Sequence, residues 1–347
     1  MAKAKKAPVS KKRAPKKAAV AAQAAPVLIQ KKGGGKGLLI AACMIGAVVL
    51  IGAQIYFKAR KEASQKFDMV RTGRNIATGM SDGQGMSPLQ LQGDKEDNLF
   101  FLDGQGTDPA RLQKFSAGCD FIKKYVPKTP QQMIAGAVDL DVDKDGNPRV
   151  LLRTGEVVML DKNLGYLRTL ATQVASPSGI GIMPDGRMLI ASKDSNKIVV
   201  FDAAGQKTGE FGAPGTKSGD IANPVRLRVT QDGLVAVMEL VSSGLHMKVF
   251  SPEFKQLVQF DLAKLQWCEP VKLGVTSDGK MFCNDHMGDN GLMVWNLKDG
   301  EFLGASKGTK DNVFFISPGS SGADKYTRSV YLHSVNGLTK CLMPEGK

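Results

Sequence analysis

The feature that most constrains this chain is an Asp-Gly turn that recurs every 40 to 47 residues. Its four copies begin at Asp145, Asp185, Asp232 and Asp278. In each copy the residues four and six positions before the glycine are apolar, and a second apolar run follows the turn. Asp-Gly between two short runs of β-forming residues is a hairpin signal. Each copy therefore predicts a small antiparallel sheet.

The copy between Ser176 and Pro224 is the most complete. Its predicted strands are Gly179–Met183, Met188–Ala191, Lys197–Phe201 and Thr208–Phe211. Four strands in about 45 residues make one blade of a β-propeller. A single blade leaves both faces uncovered, so several copies must pack side by side.

Alignment on the turn predicts an all-β, six-bladed β-propeller over residues 85–347. The predicted blades are 88–125, 130–173, 174–222, 223–267, 268–311 and 312–347. The last of them has only three recognisable strands. We therefore expect residues 58–84, a polar stalk, to supply a ring-closing strand near Phe67–Thr72, since ring closure removes free sheet edges.

Three motifs of the third predicted blade resemble the repeats of the NHL family. They are PSGIGIMPDG at 177–186, KIVVFD at 197–202 followed by Gly205, and EFGAPG with GDIANP between 210 and 224. Residues 111–122 look like the outer half of another such repeat. The resemblance spans about residues 85–345 and implies a six-bladed propeller. Blade two departs from it, because Arg153 and Thr154 follow its second strand where the family usually has an acidic residue.

The N-terminal region has a different composition. Residues 1–36 contain 11 Lys and Arg residues and no Asp or Glu, which predicts a disordered basic tail. Gly37–Phe57 is a run of 21 residues without a charge, long enough to cross a bilayer as a helix. The excess of basic residues before it predicts a cytoplasmic N-terminus and an extracytoplasmic propeller. The alternative is a cleaved signal peptide, with a cleavage site near Ile51-Gly52-Ala53.

These features predict a single-pass protein of the bacterial inner membrane with a periplasmic propeller. The basic tail could also bind anionic lipid headgroups or contact nucleic acid. The whole chain has a net charge of +14, but residues 37–347 carry only +3. We therefore do not expect the propeller itself to bind nucleic acid.

One acidic motif suggests a cation site. Asp141, Asp143 and Asp145 alternate before Gly146, and alternating carboxylates before a glycine turn occur in calcium loops. The bidentate glutamate of an EF-hand is replaced by Leu152. The sequence predicts no obligatory cofactor and leaves open Ca²⁺ or a plain turn.

Charged residues also occur on the strand that should line the axial channel. Side chains alternate along a strand, so five charged side chains should face away from the apolar set: Asp139, Asp141, Arg226, Arg228 and Lys272. Glu239, Asp285, His286 and His333 are placed near one channel mouth. Either these groups form structural ion pairs, or they line a polar pocket for a ligand or a partner peptide.

Four cysteines fall within the predicted propeller. Export would permit disulfides, and the pairs considered are Cys119 with Cys341 and Cys268 with Cys283. Free buried thiols are the alternative. No Cys-x-x-Cys motif is present. We therefore predict a scaffold that binds proteins of the cell envelope, with a metal-dependent hydrolase or lyase active at the channel mouth as the alternative.

Overall fold

The structure is a computed structural model. It describes residues 66–67, 70–85, 88–104, 110–215, 217–262, 273–276, 279–284, 290–307, 312–316, 329–334 and 337–342. All of them belong to one compact unit, Phe57–Lys347. The predicted tail at 1–36 and the predicted span Gly37–Phe57 lie outside this set. Among the described residues no helix is long and apolar enough to cross a membrane.

The described residues form strands and one short 3₁₀ helix, Pro130–Gln132. The strands in chain order are β1 (Lys66–Phe67), β2 (Val70–Ile76), β3 (Pro88–Gly93), β4 (Leu99–Asp103), β5 (Arg111–Phe115), β6 (Phe121–Lys124), β7 (Ala137–Val142), β8 (Pro148–Leu152), β9 (Glu156–Leu160), β10 (Tyr166–Ala171), β11 (Pro177–Ile182), β12 (Met188–Ser192), β13 (Lys197–Phe201), β14 (Lys207–Phe211), β15 (Pro224–Val229), β16 (Val235–Val241), β17 (Gly244–Phe250), β18 (Gln256–Asp261), β19 (Leu273–Val275), β20 (Lys280–Asn284), β21 (Asn290–Asn296), β22 (Phe302–Lys307), β23 (Asn312–Ile316), β24 (Ser329–Ser334) and β25 (Gly337–Leu342).

These strands form six sheets, four of which are simple meanders: β3–β6, β7–β10, β11–β14 and β15–β18. The other two each include an N-terminal strand. Strand β1 pairs in parallel with β22 of the sheet β19–β22, and β2 pairs antiparallel with β25 of the sheet β23–β25. The pairing with β25 overlaps the segment expected to close the ring and begins later, at Val70. The sequence did not predict the parallel pairing of β1 with β22.

The first strands of the sheets surround a common axis. They contact one another in the closed order β3, β7, β11, β15, β19, β23 and back to β3. Each sheet therefore radiates outwards from an inner strand, which is the arrangement of a β-propeller. The chain has an all-β propeller fold, as the recurring turn predicts.

The turn between the first and second strands of a sheet explains why the sequence folds this way. In the second sheet Asp143 Oδ1 accepts hydrogen bonds from the backbone N–H groups of Asp145 and Asn147, both at 2.9 Å. Gly146 then adopts a φ of +85°, and the equivalent Gly186 has a φ of +91°. Only glycine adopts this conformation without strain. In the second sheet an acceptor side chain followed by glycine thus reverses the chain. The equivalent turn of the first sheet has Asp97 in place of the glycine, and that of the third sheet has Met183 in place of the acceptor.

The hydrophobic core lies between successive sheets. Residues of β11 illustrate it, because Ile180 is fully buried against the second sheet while Gly181 faces the fourth. A Cβ atom on Gly181 would lie 2.6 Å from Val229 Cγ2. The absence of a side chain therefore allows β15 to approach β11 closely, which is the packing that the Gly-Ile-Gly-Ile pattern encodes.

Candidate binding site at one end of the axis

The inner strands end around a cavity of about 130 Å³, which we call the axial pocket. Its walls come from the ends of β3, β7, β11, β15 and β19 and from the turns that follow them. Polar lining residues include Gln92, Asp141, Arg228, Thr230 and Thr276. A concave site where several elements converge, with apolar walls and a few polar groups, is a typical ligand site.

A buried ion pair lies beside the pocket. Arg228 Nη1 and Nη2 donate to the two carboxylate oxygens of Asp139 at 2.8 and 3.0 Å, and both side chains are only 3% exposed. Burial alone would lower the pKa of Arg228, but the Asp139 carboxylate, together with the charge of Asp141, outweighs burial and raises that pKa. The pair joins the inner strands of two sheets that are not adjacent.

Further hydrogen bonds extend this pair around the axis. The Asp139 carboxylate accepts from the backbone N–H of Ile180 at 3.0 Å and of Leu140 at 2.9 Å. Arg228 Nε donates to the Leu273 carbonyl at 3.2 Å. One ion pair therefore connects the inner strands β7, β11, β15 and β19, and it satisfies backbone groups that would otherwise be unpaired near the axis.

Asp141 is the most perturbed acid among the described residues. Its oxygens accept hydrogen bonds only from backbone N–H groups, those of Val142 at 2.9 Å and Ile182 at 2.7 Å. Desolvation raises its pKa to about 7, and this effect exceeds the opposing effect of the Arg228 charge. A carboxyl group with a pKa near neutrality in a cavity is a feature that occurs often at functional sites.

The structure does not bring the three predicted calcium ligands together. Asp141 is bound to the backbone of β11, whereas Asp143 Oδ2 pairs with Arg149 at 3.0 Å and its Oδ1 closes the turn. Asp145 is exposed at the turn. No group of three His, Cys, Asp or Glu residues suited to a metal ion occurs within the described part of the chain. The plain turn, the other interpretation of the motif, accounts for these contacts.

The structure separates the predicted channel residues into different environments. Arg228 and Asp139 meet, as described, and Arg226 is half-buried with Nη1 donating to the Val225 carbonyl at 2.7 Å. Glu239 is buried and forms an ion pair with Lys248 at 3.1 Å, so its carboxylate is not available to a ligand. His333 lies on β24, in register with Asn312. Lys272, Asp285 and His286 lie outside the described residues.

The structure shows neither of the proposed disulfides. Cys119 is half-buried, and Cys283 is a fully buried free thiol whose pKa is raised by desolvation. Cys341 lies on β25, and Cys268 is outside the described residues. A free buried thiol, the alternative considered from the sequence, describes Cys283.

Sequence reasoning missed the role of Lys248. Its ammonium group donates to the Asp220 carbonyl at 2.6 Å in addition to its pairing with Glu239. The signal that could have identified it is a single charge of each sign inside two otherwise apolar neighbouring strands, VAVMELV and GLHMKVF. Buried charges of opposite sign on adjacent strands are expected to pair.

Comparisons with known proteins agree with the fold and go no further. No protein-family model and no curated protein matches the chain. Among solved structures, the chain is similar to the β-propeller domain of Cps50 (Swd1) from Myceliophteria thermophila, with a TM-score of 0.54 and 10% sequence identity. The match covers 80% of this chain and 100% of that domain. At such low identity, the likeness shows that the chain is a β-propeller and nothing about its activity.

Proposed function

We propose that the chain is a membrane-anchored scaffold that uses one end of a six-bladed, NHL-like propeller to bind a protein partner in the bacterial envelope. The observation that carries this proposal is the axial pocket, where five sheets contribute side chains to one concave surface. The buried Asp139–Arg228 pair lies beside it and ties four inner strands together. A rigid concave surface of this kind loses little conformational entropy when it binds a partner.

The six-bladed count is supported by the six sheets and by the closed order of contacts among their inner strands. The NHL-like assignment is supported by the motifs of residues 177–224. Anchoring and location are supported by the 21 uncharged residues of Gly37–Phe57 and the basic tail before them. In this proposal the tail is cytoplasmic, the propeller is periplasmic, and the pocket end is the surface presented to the partner.

Affinity purification in mild detergent tests the proposal. The full-length chain is compared with two controls, the same propeller on an unrelated anchor and the native anchor on an unrelated domain. We expect envelope proteins to be retained by both proteins that carry the propeller. Retention only by the proteins that carry the native tail and anchor would refute binding through the propeller.

A metal-dependent hydrolase or lyase is the second candidate, and Asp141 is the observation that favours it. A carboxyl with a pKa of about 7 can exchange a proton at neutral pH, as a general acid or base must. Metal analysis of the purified full-length protein distinguishes the candidates. Stoichiometric metal that is lost together with a hydrolytic activity would support the enzyme and contradict the scaffold.

A further inference from the structure

The axial pocket combines apolar walls with a carboxylate, that of Asp141, which has no ion pair among the described residues. The other charged lining groups that the structure describes are Asp94 and Lys95 after β3, Asp143 and Lys144 after β7, and Arg228 on β15. The lining residues that β11 and β19 contribute carry no charge. The chemistry of the pocket therefore depends on which of these charges are already neutralised.

Most of the buried charges have partners within the protein. Asp94 lies 3.6 Å from Lys114, Asp143 lies 3.0 Å from Arg149, and Arg228 is engaged in its bidentate pair with Asp139. Lys95 and Lys144 are exposed to solvent. Within the described part of the chain, Asp141 is thus the pocket carboxylate that has backbone donors but no ion pair.

The walls around Asp141 suit a narrow aliphatic chain. Val142, Ile182, Met183, Val229 and Val275 contribute to the lining. A cavity of about 130 Å³ has room for an unbranched side chain. A ligand that fits both features has a slender apolar stem with a single positive charge at its tip.

We propose that the axial pocket binds the side chain of a lysine from the partner protein, with its ammonium group on the Asp141 carboxylate and its methylene stem against the apolar walls. The point charge of an ammonium suits a carboxylate whose oxygens each already accept one backbone hydrogen bond. This inference rests on the proposed function, because it assigns the lysine to a bound protein.

Binding of the lysine depends on the ionisation of Asp141. The ammonium group binds the carboxylate form, so protonation of Asp141 competes with the ligand. Below the Asp141 pKa of about 7, affinity falls roughly tenfold for each pH unit. Above that pKa, affinity levels off because the carboxylate is already ionised.

The test is a ligand-observed NMR titration of the full-length chain in detergent micelles. The probe is Nα-acetyl-lysine amide, and its matched control is Nα-acetyl-norleucine amide, which has the same stem without the ammonium. At pH 8 we expect the lysine probe to bind about tenfold or more tightly than the norleucine probe, as a charged hydrogen bond in a cavity predicts. Equal binding of the two probes would overturn the proposal.

Two variants test whether the preference for the lysine probe depends on Asp141. Asp141→Asn should abolish the preference for the lysine probe, whereas Asp194→Asn, an exposed acid that does not line the pocket, should retain it. The affinity of the wild-type chain for the lysine probe, measured as a function of pH, tests the dependence on Asp141 without a variant. A preference that is independent of pH between 5 and 8, or retained in Asp141→Asn, would overturn the assignment. If Asp141→Asn loses lysine binding but still retains the partner in the affinity purification, the partner does not bind through a lysine on Asp141. The proposal that the propeller is a scaffold would then still stand.

Discussion

Replacement of Asp139 by asparagine should destabilise the propeller more than any change on its surface. The carboxylate accepts four hydrogen bonds, from two guanidinium nitrogens of Arg228 and from the backbone N–H groups of Leu140 and Ile180. All four partners are donors, and the amide nitrogen of asparagine is a donor as well. Asp139→Asn therefore leaves a buried guanidinium cation without its counter-charge.

The expected cost follows from the burial of the pair. Removing one partner of a buried ion pair destabilises a protein by about 3–5 kcal/mol, because the remaining charge is left uncompensated. Each kcal/mol corresponds to about 2–4 °C in melting temperature for domains of roughly 150–250 residues. We therefore expect the melting temperature of Asp139→Asn to fall by about 10 °C, measured by intrinsic fluorescence of the full-length protein in detergent.

Two control variants make the result specific. Glu210→Gln removes the exposed acid that pairs with Lys197 and Lys207, and it should leave the melting temperature unchanged within error. The double change Asp139→Leu with Arg228→Met removes both buried charges and should restore part of the lost stability. The rest stays lost because the N–H groups of Leu140 and Ile180 and the Leu273 carbonyl lose these partners. A normal melting temperature for Asp139→Asn, or a double variant no more stable than the single one, would refute the reasoning.

Three further predictions concern single positions. Asp141 has a folded-state pKa of about 7 against its ordinary value of 3.8, so the folded state binds its proton more tightly. The stabilisation from the protonated Asp141 is fully present below pH 4 and is lost as the pH rises to about 7. In this window the free energy of unfolding should fall by at most about 1.4 kcal/mol per pH unit, as melting curves at several pH values can show. The Asp141→Asn variant should lack this pH dependence. Gly181→Ala places a Cβ 2.6 Å from Val229 Cγ2 and should cost about 1–3 kcal/mol. Gly209→Ala, where nothing lies within 4 Å, should cost nothing measurable in the same denaturation assay. Cys283, whose thiol pKa is raised by burial, should react with a thiol reagent at neutral pH only after unfolding, as peptide mass spectrometry can show; labelling in the native protein would contradict its burial.

The sequence carries most of the information about the fold because each repeat encodes its own turns locally. In the third sheet the strands Met188–Ser192 and Lys197–Phe201 lie within one residue of the predicted ends. The last sheet is harder to predict, since it combines β2 from the start of the chain with β25 from its end. Pairing between such distant segments depends on ring closure, which no local pattern reports.

The site could be predicted only as far as strand alternation allows. Alternation predicts Asp139, Asp141 and Arg228 on the channel side of their strands, and the ion-pair alternative describes Asp139 and Arg228, which the structure pairs. The sequence could not identify which acid pairs with which base, because Asp139 and Arg228 are 89 residues apart and on non-adjacent sheets. It also could not give the individual contacts of Asp141 and Asp143, which are a backbone N–H on β11 and the side chain of Arg149.

Site-specific photo-crosslinking tests most directly the claim that the axial end of the propeller binds a partner protein. A crosslinking residue is placed at Gln231, which is exposed at the pocket, or at Asp194, an exposed position in the turn between β12 and β13. Gln231 lies in the turn between the first and second strands of its sheet, and Asp194 lies in the turn between the second and third strands of its sheet. The two positions are therefore at opposite ends of the antiparallel strands. In cells that express the full-length chain, we predict a protein adduct from position 231 and none from position 194. An adduct from position 194 alone would contradict the account.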